Sequence, residues 1–184
     1  MYNKTGQNYN YLYSNRGMSL EADINDSNEY YLLSDIAVIY KKPTPITINK
    51  VNYPSRKDAV VTEAHFKTPS TTDYNGVYKG KYIDFEAKET KSKTSFPLSN
   101  IHKHQIDHLK KIVKHGGIGF LIIRFSSLNK TYYLDSKYLF DFVDQHNRKS
   151  IPIDYFNKYG KIIKEGLRPR LNYLACILEG DENE

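Results

Sequence analysis

Asp73-Tyr74-Asn75-Gly76, and after it Lys81-Tyr82-Ile83-Asp84-Phe85-Glu86-Ala87-Lys88-Glu89-Thr90, are the segments from which the rest of the chain can be read. The second is dense in aromatic and β-branched residues, the composition of a strand. Side chains alternate along a strand, so Ile83, Phe85 and Ala87 make one apolar face and Asp84, Glu86 and Lys88 the other. On the polar face the Cα atoms of Glu86 and Lys88 lie about 7 Å apart. The apolar face belongs to a core, which turns the polar one toward a cleft or solvent. Gly76 and Gly80 bracket Val77-Tyr78-Lys79, which reads as a hairpin turn bringing Asp73 back beside Glu86. An acid delivered there, next to a Glu and a Lys, gives two carboxylates able to hold a hard divalent cation through oxygen. The ammonium can then orient or activate a water. Asp84 fits a supporting or merely exposed acid better than a metal ligand. The competing reading of the whole stretch is a solvated strand face whose Glu–Lys pair is worth less than about 1 kcal/mol.

Composition bounds the partners. The 184 residues are enough for one domain with a real core and too few for two. Lys and Arg number 27 against 21 acids, a formal charge of +6, and four of those acids crowd into residues 179–184. A body more basic than its total attracts phosphate backbones, although it would also suit an acidic protein surface. The single cysteine, Cys176, excludes an internal disulfide and suits a reducing compartment. Its apolar neighbours Leu174, Ala175 and Ile177 mark it as buried. No apolar run approaches about 18 residues and the N-terminus is polar, so a cytoplasmic protein without membrane span or signal peptide is expected.

Along the chain, residues 1–13 are rich in Asn and Tyr without periodicity and read as a flexible arm. One domain then covers residues 14–178, followed by the acidic tail 179–184. A helix is expected from Asn15 to about Leu33, with Met18, Ile24, Tyr31 and Leu32 on its buried side. Strands follow at Ile36–Lys42, stopped by Pro43 and Pro45, and at Ile46–Val51. The segment from Asn52 to Pro69 fits no sheet, with Arg56, Lys57, His65, Phe66 and Lys67 around the apolar Ala59-Val60-Val61. Beyond the Glu86 strand come a helix over Asn100–Lys114, an apolar central strand at Ile118–Phe125, its hairpin partner at Thr131–Leu134, and a helix over Lys137–His146. This order predicts an α/β domain, a mixed central β-sheet flanked by helices.

Glu21 on the first helix and Gln105 on the second are the polar residues to aim at the cleft, although Glu21 equally suits a helix N-terminus on electrostatic grounds. His102, His104 and His108 surround Gln105 and invite a zinc reading. It is rejected, because no Cys or fourth ligand is near and the carboxylate site prefers oxygen-seeking ions.

Asp…Glu-x-Lys is the arrangement of restriction-endonuclease-like nucleases, and a more specific likeness runs from about residue 15 to 175. The chain resembles the RecU family of Holliday-junction resolvases. The likeness is carried by Asn15-Arg16-Gly17-Met18, Ile36-Ala37-Val38-Ile39, Lys42-Pro43-Thr44-Pro45, Tyr53-Pro54-Ser55-Arg56, Ser70-Thr71-Thr72-Asp73-Tyr74-Asn75-Gly76, Asp84-Phe85-Glu86-Ala87-Lys88-Glu89-Thr90, Thr94-Ser95-Phe96-Pro97-Leu98 and His104-Gln105.

The resemblance implies a restriction-endonuclease-like nuclease domain in a homodimer, whose two sites cut opposed strands of four-way junction DNA with Mg²⁺, Mn²⁺ substituting. It implies Asp73 and Glu86 as metal ligands with the Ala87 carbonyl as a third oxygen. Lys88 would be the water-positioning and charge-stabilising group, and Glu21 and Gln105 would complete the site. It further implies a protruding stalk over about 52–69 that enters the junction centre. Arg16, Arg56, Lys57, Phe66 and Lys67 would contact DNA, Phe66 by stacking unless it packs at a dimer contact. A branch-migration helicase and a RecA-type recombinase are the implied protein partners. Two other classes compete. An architectural junction binder would keep the basic stalk without needing Asp73, Glu86 and Lys88, and a sequence-specific restriction-type nuclease would replace the stalk with a base-reading loop.

Overall fold

The computed structural model describes residues 19–67 and 71–178; the expectations for residues 1–13, Arg16, Met18, Pro69 and the tail 179–184 lie outside them. The elements in chain order are α1 (Leu20–Leu33), β1 (Val38–Lys41), β2 (Ile46–Asn52), β3 (Val60–Phe66), β4 (Tyr74–Tyr78), β5 (Lys81–Thr90) and β6 (Ser95–Pro97). There follow α2 (Lys103–Lys114), β7 (Ile118–Phe125), β8 (Lys130–Asp135), α3 (Ser136–Gln145), β9 (Ser150–Pro152), α4 (Ile153–Tyr159), β10 (Lys161–Ile162) and α5 (Leu174–Leu178). Six strands form one sheet in the order β1-β4-β5-β7-β8-β10, with β5 and β7 parallel and the other neighbours antiparallel. The expected mixed sheet flanked by helices is what is found.

β7 is central because it is apolar on both faces, as a strand covered on both sides must be. Phe120 and Ile122 join the core beneath α1, with Ile24, Tyr31, Ile39 and Phe85, while Leu121 and Ile123 join a second core with Leu109, Leu139, Phe142 and Phe156. Strand register sets rings beside rings. Tyr74 on β4, Phe85 on β5 and Phe120 on β7 stack with centroids 4.8 and 4.6 Å apart.

The hairpin that returns Asp73 to Glu86 is tighter than expected. Its turn is only Lys79-Gly80, both at positive φ (48° and 75°), the two-residue connection that matches strand twist. Gly76 is not in the turn but inside β4, between Ile39 and Ile83. A Cβ there would lie 2.7 Å from the Ile39 Cα and closer still to the Val38 carbonyl oxygen, so the missing side chain is what lets β1 approach.

Other boundaries shift for physical reasons. α1 begins at Leu20, capped by the Ser19 hydroxyl, which accepts from the Ala22 N–H at 3.2 Å. Its inner face holds Ile24 and Tyr31 but not Leu32, which is exposed. Besides Leu20, the remaining buried positions are polar: Asp23, Ser27 and Asn28. They bond the C-terminal segment. Asp23 accepts from Arg170 Nε at 3.1 Å, Ser27 Oγ from the Leu171 N–H at 2.8 Å, and Asn28 Oδ1 from the Tyr173 hydroxyl. The second helix starts at Lys103 rather than Asn100, after a turn of 3₁₀ helix over Leu98–Asn100. Cys176 is buried, as its neighbours suggest.

β2 does not enter the main sheet, as the pattern of Ile46–Val51 had suggested, but pairs with β3 in a separate two-stranded ladder. The segment that leaves the domain therefore starts at Ile46, not near Asn52. No residue of either strand is buried.

Candidate active site

β5 supplies Glu86 and Lys88, and the residue immediately before β4 supplies Asp73. The Asp73 N–H donates to Glu86 Oε2 at 3.2 Å, which clips the loop to the strand. Lys88 Nζ lies in ion-pair contact with Glu86 Oε1 and 3.7 Å from Asp73 Oδ2. The three groups singled out in the sequence thus meet at one place. Glu86 has no solvent exposure, and its Oε1 is a buried acceptor with no hydrogen bond of regular geometry.

The electrostatics follow from that crowding. Burial, then the neighbouring Asp73 charge, raises the Glu86 carboxyl from 4.5 to about 7, against the pull of Lys88. For Lys88, burial works to lower the value, but its hydrogen bond and charge interaction with Glu86, followed by those with Asp73, outweigh it and raise the ammonium above its ordinary range. Two acids facing one ammonium leave a surplus of negative charge, a place where a cation would be welcome.

Glu21, on the first turn of α1, is exposed and paired to Lys41 Nζ at 2.5 Å. It lines, with Asp73, Ala87 and Glu89, a cavity of about 200 Å³ on the α1 side of β5. An adjoining cavity of about 260 Å³ also reaches Glu21 and Asp73, walled by Lys41, Lys42 and Thr72. Gln105 is buried, and its Oε1 accepts from the His102 N–H at 2.9 Å in a capping box at the start of α2. His102 is that helix's N-cap and His108 contacts Asp84, so the histidines serve different neighbours. Among the described residues no group of three or more His, Cys, Asp or Glu side chains converges on one point. Any cation at Asp73 and Glu86 must draw further oxygens from backbone, amide, water or substrate.

Asp84 departs from the exposed-acid reading. It is fully buried and bonded to Lys42, Thr72 and Tyr82, with His108 at 3.2 Å. Alternation along β5 identified its face but not the cover over it. Lys42, quoted above only as part of Lys42-Pro43-Thr44-Pro45, is the principal residue whose role the sequence reading missed; its place in that segment, just past an edge strand, was the available signal.

The DNA-contact candidates fall at opposite ends of the β2–β3 hairpin. Arg56 and Lys57 lie in its tip loop and Phe66 pairs with Ile46 at its base, roughly 20 Å away for a seven-residue strand. Phe66 is 79% exposed, and Lys67 is tied to Pro45 by its N–H at 2.9 Å.

A mixed sheet presenting two carboxylates and a lysine at the edge of a basic body defines a class of site suited to phosphodiester chemistry. Comparison with known proteins gives the family. The family model described as "Recombination protein U" matches residues 15–179, and the chain belongs to the RecU family. The Holliday junction resolvase RecU of Bacillus mycoides (strain KBAB4) is 56% identical over 170 residues, 91% of this chain and 85% of that protein. That of Bacillus cereus (strain AH820) is 55% identical over the same shares. A solved structure of Hjc, a Holliday junction resolvase from Archaeoglobus fulgidus, covers 72% of this chain and 91% of its own at 10% identity, with a TM-score of 0.38.

Proposed function

We propose that this protein resolves four-way DNA junctions by divalent-metal-dependent cleavage of two opposed strands. The observation that carries the reading is the meeting of Asp73, Glu86 and Lys88 at one buried-to-exposed edge in a member of the RecU family.

The residues fit a hard cation. The donor set is all oxygen, and the Asp73 and Glu86 carboxylates share a single ammonium, Lys88, which leaves net negative charge for a hard cation to balance. Asp73 and Glu86 would hold it with the Ala87 carbonyl; Glu21 and Gln105 are the further candidates, Gln105 on condition that it gives up its cap. Mg²⁺ is the expected ion, with Mn²⁺ substituting. Such a cation supplies Lewis-acid polarisation of the scissile phosphate. The protein's own contribution is the rest. Lys88 orients the attacking water and stabilises the charge gathering on the phosphate as the new P–O bond forms and the old one breaks. Burial of Glu86 excludes bulk water from one side of the site.

Cutting two opposed strands needs two sites, hence a homodimer. Its seat is the uncovered sheet face on which Val38, Val77 and Tyr82 stand opposite one another across β1, β4 and β5, with Tyr40 beside them. These four residues are each 39–56% exposed, an apolar patch that asks for a partner. The β2–β3 hairpin is the stalk that enters the junction centre, with Arg56, Lys57 and Lys67 pairing phosphates and Phe66 stacking on an exposed base pair. Arg16 is a further DNA contact on the family resemblance. Action on DNA places the protein in the cytoplasm in this reading; among the described residues no helix is long and apolar enough to cross a membrane.

The test is to incubate the protein with a mobile four-way junction and with a matched linear duplex, with and without Mg²⁺. Paired nicks on the junction alone, dependent on Mg²⁺ and lost in Asp73→Ala and Glu86→Ala while junction binding persists, are expected. Cleavage retained by either variant removes the site assignment, and equal cutting of the duplex removes the junction.

A further inference from the structure

Beside the carboxylate pair lies a second buried polar cluster that touches no reacting group. Asp84 is two residues before Glu86 on the same face of β5 and is wholly buried. One of its oxygens accepts from the Thr72 hydroxyl. The other accepts from Lys42 Nζ at 2.8 Å and the Tyr82 hydroxyl at 2.9 Å, with His108 Nε2 at 3.2 Å. Lys42 is held at both ends. Its backbone N–H donates to the Asp73 carbonyl at 2.8 Å, and its ammonium bonds Thr72 Oγ1 at 2.9 Å as well as Asp84.

We propose that Lys42, Thr72 and Asp84 are positioning residues that fix the Asp73 loop against Glu86, so that the cation site is assembled before a cation arrives. The proposal rests on the reading of Asp73 and Glu86 as ligands. Three facts carry it. Every bond from the cluster to the loop ends on Thr72 or on the Asp73 carbonyl, the residues that aim the Asp73 carboxylate. The base of the cluster is the same strand that carries Glu86, so the two ligands are referenced to one rigid element. His108 brings in α2, one turn after Gln105, so the cluster ties α2 and β5 to the Asp73 loop. Net stability is a poor explanation for it, because replacing a buried ion pair by apolar groups of similar volume is often neutral or favourable. Holding the partners of ligating carboxylates is a recognised use of such groups, and removing one weakens metal binding by about 10–100-fold.

The decisive variant is Thr72→Val, which deletes the one hydroxyl linking the Lys42–Asp84 pair to the loop and leaves the pair intact. In calorimetry on the metal-depleted full chain, Mn²⁺ binding should weaken about tenfold or more. Junction cleavage at low Mn²⁺ should fall in parallel and recover as Mn²⁺ is raised. Junction affinity in EDTA should not change. Thr72→Ser, which keeps the hydroxyl, should retain wild-type Mn²⁺ affinity. Wild-type Mn²⁺ affinity in Thr72→Val overturns the proposal, and Thr72→Ala decides it in the same way if the valine variant does not fold. Asp73→Ala separates the two layers. If it binds Mn²⁺ as well as the wild type, the ligand reading fails; if it loses Mn²⁺ while Thr72→Val keeps it, only the positioning role fails.

Discussion

Replacing Glu86 by Gln should change how the stability of the metal-free protein depends on pH, by an amount the structure allows to be estimated. The Glu86 carboxyl titrates near 7 in the folded chain against 4.5 ordinarily, because it is buried and faces Asp73. Between those values the folded state keeps a proton that the unfolded state has lost, so stability falls as pH rises. The contribution is fully present below pH 4.5 and gone above about 7. At about 1.36 kcal/mol per pH unit, the interval amounts to about 3 kcal/mol. For a chain of this size, that is on the order of 6–12 °C in Tm. Glu86→Gln has no proton to lose there. The measurement is thermal unfolding of both proteins in EDTA from pH 4.5 to 8, reading the difference between them. It should shift in favour of the variant by about 3 kcal/mol across that range. A difference that stays flat would refute the raised titration and, with it, the claim that Glu86 is an acid held ready for a cation. Restoring Mg²⁺ at pH 8 should stabilise the wild type, through preferential binding to the folded state, and not the variant.

Other outcomes are expected. Lys88→Ala should lose at least about 10²–10³ in cleavage rate, the worth of one well-placed electrostatic donor, and Lys88→Arg should not recover it, since a planar fork cannot replace a compact ammonium; single-turnover assays on a junction will show this. Lys57→Ala or Lys67→Ala should flatten the slope of log affinity against log salt by up to about one unit if each pairs one phosphate, and a salt-insensitive affinity would contradict a phosphate-led interface. Gly76→Ala should cost on the order of 1–3 kcal/mol or more in denaturant unfolding, because the new Cβ has backbone on the neighbouring strand and nothing flexible to displace.

What was legible in the sequence was whatever a strand or hairpin declares locally. β5 and β7 announced themselves by alternation and by an unbroken apolar run, and the return of Asp73 to Glu86 followed from the glycines. Partners at a distance were not legible. Ile46–Val51 reads as a strand whether it joins a sheet or leaves it, and only tertiary pairing sent it out with β3. Alternation put Asp84 on the polar face but could not reveal that Lys42, Thr72 and His108 close over it. α1 misled for a related reason. Its inward positions include Asp23, Ser27 and Asn28, so the apolar period that usually marks a buried face is diluted, and Leu32 fits the pattern while standing exposed. As for the candidate site, Asp73, Glu86 and Lys88 stood out because their spacing spells a chemistry, whereas Lys42, Thr72 and Asp84, though they lie in the same quoted segments, reveal their role only through contacts across the sheet.

Each of those polar positions of α1 has a bond that spans more than 140 residues, from Asp23 to Arg170, Ser27 to Leu171 and Asn28 to Tyr173, and Asp23 pairs with Arg124 besides. Among the described helices α1 leaves the ribosome first, and it is thus among the last to be finished. At about 5–20 residues per second it waits on the order of ten seconds or more for its final contacts. Over that interval the three polar side chains lack their partners in the C-terminal segment, and Glu21 rides on a helix not yet fully anchored. A nascent chain cut short before Tyr173 would carry every residue of the Asp73–Glu86–Lys88 constellation and still lack the clasp that closes the domain around it.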